Sequence, residues 1–157
     1  MRKVRGLKEV AECEPPGNRR GGTKDFAPSA AEGLRYERAV AAHMASLGFK
    51  VKHGQWIKFR DSRGVSYCQP DVLLLPEEKS RILLLEAKLT QNAEGEVKLE
   101  KLYVPLVRAL YRLPVFPILI FKNILAERGR QLRCVRDALF LSGKEEGKVY
   151  HLHWSAL

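Results

Sequence analysis

The sequence predicts an α/β domain with a mixed central sheet flanked by helices, and three observations carry that expectation. First, the runs Val72–Leu75, Ile82–Leu85 and Val115–Phe121 are almost continuously apolar, as in strands buried on both faces. Second, apolar residues recur at helical spacing before the first run and between the last two. Third, the order of these segments is helix, three strands, helix, strand, an αβββαβ core in one domain. A chain of 157 residues with 45% hydrophobic content can bury such a core.

Taken in order, residues 1–28 show neither helical nor strand periodicity. They carry Pro15-Pro16-Gly17 and Arg19-Arg20-Gly21-Gly22 and are expected to form a basic, flexible arm, with the domain proper at 29–157. Ser29-Ala30-Ala31-Glu32 has the form of a capping box, which opens a helix by satisfying its orphan backbone donors. Leu34, Tyr36, Val40, Met44 and Leu47 continue it, and Gly48 stops it. A strand is expected over Val51–Phe59, a turn at Asp61-Ser62-Arg63-Gly64, and a second strand over Val65–Leu75. The polar connection Pro76–Arg81 leads to a third strand, Ile82–Leu89. A helix over Val97–Arg112 should be kinked or split by Pro105. Val115–Phe121 is the fourth buried strand, followed by a helix over Ile124–Leu141 and a short strand over Val149–Trp154.

Lys and Arg number 28 against 18 Asp and Glu, a net charge of +10. With a sequence pI of about 9.7, this points to a polyanionic partner. A membrane is not that partner, because no apolar run approaches the ~18–20 residues needed to span a bilayer. The charged start Met1–Gly6 is followed by no hydrophobic signal core, so a cytoplasmic location is expected. Cys13, Cys68 and Cys134 are too few and too widely spaced for a disulfide framework or a zinc pattern. Basic residues concentrate in 98–136, which holds nine of them against Glu100 and Glu127. Lys98, Lys101, Arg108 and Arg112 in the first part, and Arg130 and Arg133 in the second, are candidates for nucleic-acid contact. Lys101, Arg108 and Arg112 are expected to share one helical face and Arg130 and Arg133 another, suited to tracking phosphates without specifying sequence.

Asp71, Glu86 and Lys88 interrupt the buried strands, where charge is costly unless paired or bound to a metal. If Leu75 and Ile82 face each other across the six-residue connection, Asp71 falls opposite Glu86, with Cβ atoms about 5 Å apart. Two facing carboxylates destabilise a sheet unless a cation lies between them. Mg²⁺ or Mn²⁺ suits such a site, taking one or two carboxylates with water and phosphate oxygens. Lys88, two residues from Glu86, points to the same face. The competing expectation is an interstrand ion pair between Lys88 and one of the carboxylates, with no ligand.

Pro70-Asp71, fourteen residues, then Glu86-Ala87-Lys88 resembles the signature of the PD-(D/E)XK nuclease superfamily, and the element order over 29–121 resembles its fold. The resemblance implies that Asp71 and Glu86 are metal ligands, with the Ala87 carbonyl as a further ligand, and that Lys88 is the catalytic lysine. It also implies a glutamate on the first helix. Glu37 matches, and at ~100° per residue it projects between Met44 and Ala41, within the apolar sector. Gln69, near Asp71, is expected to face away from it. The Gln-x-x-x-Tyr helix of the exonuclease-like branch is missing, since Leu99 stands four residues before Tyr103, and three cysteines cannot hold a four-cysteine iron–sulfur cluster. The implied activity is metal-dependent cleavage of DNA, as an endonuclease that recognises DNA structure or ends. Resolvase-like members imply a homodimer. The alternatives are a non-catalytic nucleic-acid-binding module, or a nuclease subunit of a larger transposition, restriction or repair complex. His43, His53, His151 and His153 carry no pattern of their own. Trp56 and Phe59 are aromatic residues that could stack on bases or fill a core.

Overall fold

A computed structural model describes residues 4–17, 28–75, 80–90, 93–123 and 148–155. The expected helix Ile124–Leu141, with Arg130 and Arg133, lies outside the described residues. A five-stranded mixed sheet runs in the order β2 (Lys50–His53), β5 (Val72–Leu75), β6 (Ile82–Thr90), β7 (Val115–Asn123), β8 (Tyr150–His153). β2, β5 and β6 pair antiparallel, whereas β6, β7 and β8 pair parallel. A second, antiparallel sheet has the order β1 (Lys8–Cys13), β3 (Trp56–Asp61), β4 (Gly64–Cys68). The αβββαβ order holds for the larger sheet, formed by helix α1 (Pro28–Ser46), β2, β5, β6, the helical segment 93–111 and β7.

Three departures from the sequence expectation have local causes. The expected strand Val51–Phe59 is two strands in different sheets, parted at Gly54, whose φ of +65° turns the chain. The expected strand Val65–Leu75 likewise divides into β4 and β5 around Gln69-Pro70-Asp71. The β3–β4 hairpin is thus an insertion between the first two strands of the core. Within the segment expected to be an arm without strands, Lys8–Cys13 pairs with β3 across a bulge between Lys8 and Ala11, with Glu9 at φ +53°. That irregularity hides its period of two.

Alternation divides the core between the two faces of the large sheet. On one face Tyr36, Val40, Ala41 and Met44 of α1 cover Val72, Leu74, Leu83, Leu85, Phe116, Ile118 and Ile120. Gly48, at φ +95°, follows the end of α1. On the other face Leu73, Leu84, Leu119 and Phe121 meet the helical segment and, from the small sheet, Ile57, Phe59 and Cys68. Phe59 is therefore core, not a surface for bases.

The helical segment comprises α2 (Ala93–Lys98), a π-helical turn (Leu99–Tyr103) and α3 (Val104–Tyr111). Pro105 is accommodated without a break, because in a regular α-turn its ring would crowd the Lys101 carbonyl and its missing N–H would orphan that group. The wider turn, closed by the Val104 N–H donating to the Leu99 carbonyl, shifts the hydrogen-bond register just before the proline, so that the Lys101 carbonyl no longer faces it. α3 ends at Tyr111, and Arg112 caps it at φ +55°. Lys101, Arg108 and Arg112 are all exposed, but the π turn and this early stop break the single helical face expected for them.

Tyr111 and Lys52 both donate to the Glu12 carboxylate, fastening β1 to α3 and β2. The Lys52 hydrogen bond first, then that of Tyr111, holds the Glu12 carboxyl below its ordinary value of 4.5. A depressed folded pKa gives stability that is present above 4.5 and lost as pH falls through the folded value. Hydrogen-exchange protection in β1 should therefore fall selectively on acidification while that of β6 persists, and Glu12→Gln should remove the difference. Leu84, fully buried in the central strand, sets the scale for the core. Leu84→Ala should cost about 3 kcal/mol in urea denaturation, whereas Val65→Ala, at 43% exposure, should change stability little.

Candidate active site

The β5–β6 register pairs Val72 with Leu85, Leu73 with Leu84 and Leu74 with Leu83. Continued by one residue, it sets Asp71 opposite Glu86, as the symmetry of the connection predicted. Alternation puts Asp71, Glu86 and Lys88 on the face that carries Leu73 and Leu84. The paired strand residues end at Val72 and Leu85, and Asp71 reaches β6 with its side chain. Its Oδ2 accepts from the Ala87 N–H at 2.8 Å, which ties its carboxylate to the backbone of β6.

Glu86 is 1% exposed. Its Oε1 is met at 3.3 Å by Lys88 Nζ and at 3.3 Å by Lys98 Nζ. Its Oε2 is buried with no hydrogen-bond partner. The Lys88 ion pair considered at the outset does exist, but along one strand instead of between strands, and it leaves half of the carboxylate unsatisfied. An orphaned, buried carboxylate oxygen is a costly feature, stabilised by a bound cation.

These residues line a cavity of about 490 Å³ together with Glu37, Ala87, Thr90 and Lys98, beside Ala30, Gly33 and Leu34 of α1. Glu37 reaches it from α1, and its Oε1 is 2.9 Å from His53 Nε2 at the end of β2. The amphipathic phase of α1 accounts for this placement: Glu37 follows the buried Tyr36 at the edge of the apolar stripe and is neither surface nor core.

Electrostatically the cavity is under tension. Burial, then the charge of Glu86, then that of Glu37 drive the Asp71 carboxyl well above the usual carboxylate range. The Ala87 hydrogen bond and Lys98 oppose the shift without cancelling it. Tyr103 is raised mainly by burial and next by Glu86, so it remains a neutral donor. Among the described residues no three His, Cys, Asp or Glu side chains converge on one point. The donor set is consequently unlike a zinc cage. It fits a hard divalent ion, which needs only one or two carboxylates and takes its remaining oxygens from water and phosphate.

A network behind the site positions Asp71. The Gly54 N–H donates to the Asp71 carbonyl at 2.9 Å, and Gln69 Nε2 donates to the Gly54 carbonyl at 2.9 Å. A Cβ at Gly54 would stand 3.0 Å from that amide nitrogen, which is why glycine suits the position beyond its positive φ. Tyr103 Oη donates to the Gln69 carbonyl at 3.3 Å. Gln69 thus acts on the site through the Gly54 backbone and lies outside the cavity lining. Two residues from Asp71, it would share that face in a regular strand, and the Gln69-Pro70-Asp71 bend between β4 and β5 parts them.

The structure brings Glu37, Asp71, Glu86, Ala87 and Lys88 to one cavity, and adds Lys98, which sequence reasoning had assigned to the general basic surface. Lys101, Arg108 and Arg112 lie outside the cavity lining. His53 and Tyr103 were also missed. A Lys and a Tyr five residues apart just before a proline were the available signal, and it is legible only once a π turn is considered. His151 is buried with its Nε2 3.4 Å from Glu96 Oε2, and His153 Nε2 meets the Lys122 carbonyl at 2.8 Å.

No family model and no curated protein matches the chain. Among solved structures it is similar to a repair endonuclease from Pyrococcus abyssi, at 18% identity and a TM-score of 0.43 over 85% of this chain. It is also similar to a type III CRISPR defence DNA nuclease activated by cyclic oligoadenylate, at 20% identity and a TM-score of 0.43 over 82% of this chain. The chain spans 50% of the length of the first and 19% of the second.

Proposed function

We propose that this chain is a divalent-metal-dependent nuclease that hydrolyses phosphodiester bonds in DNA, acting as an endonuclease on DNA structure or ends. The observation that carries the proposal is the buried, unpartnered Oε2 of Glu86 beside Asp71, with two lysines on the other Glu86 oxygen. A purely structural ion pair would leave no such orphan, and a general nucleic-acid-binding surface would need no buried carboxylates.

Asp71 and Glu86 would hold Mg²⁺ or Mn²⁺, with the Ala87 carbonyl as the further ligand that the PD-(D/E)XK resemblance implies. The ion, when bound, acidifies water and stabilises charge on phosphoryl oxygens. The protein's own groups do the rest. The Ala87 N–H orients the Asp71 carboxylate, and Lys88 and Lys98 both pair with Glu86. Lys88, with its ammonium at the cavity and 32% of its side chain exposed, can hold the attacking water and donate to the oxygen on which charge develops. Glu37, paired with His53, would support the water or the ion from α1. Lys101, Arg108 and Arg112 supply exposed cations for the DNA backbone, and a homodimer would place two such sites for paired cuts. A cytoplasmic enzyme working alone or inside a larger nucleoprotein complex accords with this chemistry.

Supercoiled, linear, single-stranded and four-way-junction DNAs should be cut in Mg²⁺ or Mn²⁺ to different extents and left intact in EDTA. Lys88→Ala should lose at least about a hundredfold in rate. Asp71→Ala should lose divalent-ion binding by calorimetry while retaining DNA binding. Binding by the wild-type chain with no cutting of any of these DNAs would overturn the proposal in favour of a binding module.

The tension at Asp71 gives a separate expectation for the metal-free protein. With its folded pKa raised, the native state binds more protons than the unfolded chain above the ordinary value of 3.8. This residue's contribution therefore lowers stability as pH rises from there through the raised value. Asp71→Asn should flatten that slope and stabilise the metal-free protein at neutral pH by on the order of 1 kcal/mol. It should also abolish the rise in melting temperature on adding Mg²⁺.

A further inference from the structure

We infer that Lys98 is a second phosphate-gripping lysine of the cavity, released toward a substrate phosphate when a cation occupies the carboxylates. The inference rests on the nuclease reading of the same cavity and deepens it by assigning a substrate-contacting role to a residue outside the Glu86-Ala87-Lys88 tripeptide.

Three observations lead to it. Lys98 lines the cavity and sets its Nζ 3.3 Å from the same Glu86 oxygen that Lys88 meets at 3.3 Å. Glu37, Asp71 and Glu86 line the same cavity, so without a cation the two ammonium groups do not exceed the carboxylates. A divalent ion held by Glu86 and Asp71 would tip that balance to net positive, and an anion would then complete the site. A phosphodiester is the anion that a basic chain with this cavity would take.

The second observation is how the side chain is aimed. In a regular α-helix a five-residue step turns ~140° beyond a full circle, so Lys98 and Tyr103 would face apart. The π turn at Leu99–Tyr103 brings them together, with Lys98 Nζ 5.0 Å from the centroid of the Tyr103 ring. The aromatic face guides the lysine stem and attracts its ammonium. Third, Tyr103 is itself anchored to the Gln69 carbonyl, two residues before Asp71. Lys98 is thus held in fixed relation to the carboxylate pair, unlike a lysine on a solvated helix face such as Lys101.

The test uses the full chain, a short labelled duplex and Ca²⁺, which takes the same oxygen ligands as Mg²⁺. Duplex affinity is measured with Ca²⁺ and with EDTA, and Ca²⁺ binding alone is measured by calorimetry. Wild-type protein should bind the duplex more tightly with Ca²⁺. Lys98→Gln should reduce that gain about tenfold, the effect of one charge-assisted contact. It should leave Ca²⁺ affinity unchanged or tighter, because a competitor for Glu86 is removed, and Lys98→Arg should restore the gain. Lys101→Gln should instead weaken binding equally with and without Ca²⁺. Weaker Ca²⁺ binding by Lys98→Gln would show a residue that merely props Glu86, and would overturn the inference. So would a Ca²⁺-dependent gain that is absent from wild type, unaltered in Lys98→Gln or unrestored by Lys98→Arg. Absence of Mg²⁺-dependent cleavage with a Lys98-dependent gain intact would sink the nuclease reading and leave the phosphate grip standing.

Discussion

Two carboxylates held face to face at the buried end of a strand pair are the constraint on which the rest of this structure turns. Asp71 and Glu86 oppose each other because β5 and β6 pair in a register that Val72 and five leucines define. Slipping that register by one residue would drive the apolar side chains of β5 to the wrong faces. The core thus enforces a juxtaposition that the charges alone would avoid. Around it, each unusual local feature has a compensating purpose: the Ala87 N–H on Asp71, two ammonium groups on Glu86, a tyrosine fixed beside them, and a glycine where a side chain would press on Gln69.

The sheet is what makes such tension sustainable. β6 lies between an antiparallel and a parallel neighbour, and its residues from Ile82 to Leu85 are fully buried on both faces. Roughly 1.5–3 kcal/mol for each such side chain exceeds the penalty of one frustrated carboxylate pair. The polar end of the strand is then free to serve chemistry, as natural proteins commonly arrange where local rules are broken.

Much of this was legible in the sequence, and the parts that were not share a cause. Asp71 opposite Glu86 could be read because the apolar runs on either side of Pro76–Arg81 have one sensible register. Glu37 could be placed because helical phase is regular over α1. Lys98 could not, because its position depends on a π turn, and a one-residue insertion into a helix changes no composition and little periodicity. The small sheet was hidden for a related reason. Gly54 and the Gln69–Asp71 bend each interrupt what look like continuous strands, while the bulge between Lys8 and Ala11 disguises β1 within a stretch rich in charge and proline. Regular elements announce themselves through repetition, and the residues that aim side chains into the cavity sit where repetition fails.

Sequence distance separates the pairings of the large sheet, and this bears on how the chain finds its shape. β5 and β6 are linked by a short connection, whereas β6 reaches β7 only after the whole helical segment, and β2 reaches β5 only across the inserted hairpin. Closing the shortest loop sacrifices the least chain entropy, so within the large sheet the β5–β6 pair is the natural first pairing and seed. The opposed carboxylates belong to that seed. Their repulsion therefore weighs on the barrier to folding more than on the barrier to unfolding, and a chain that assembles slowly, once assembled, need not come apart any faster.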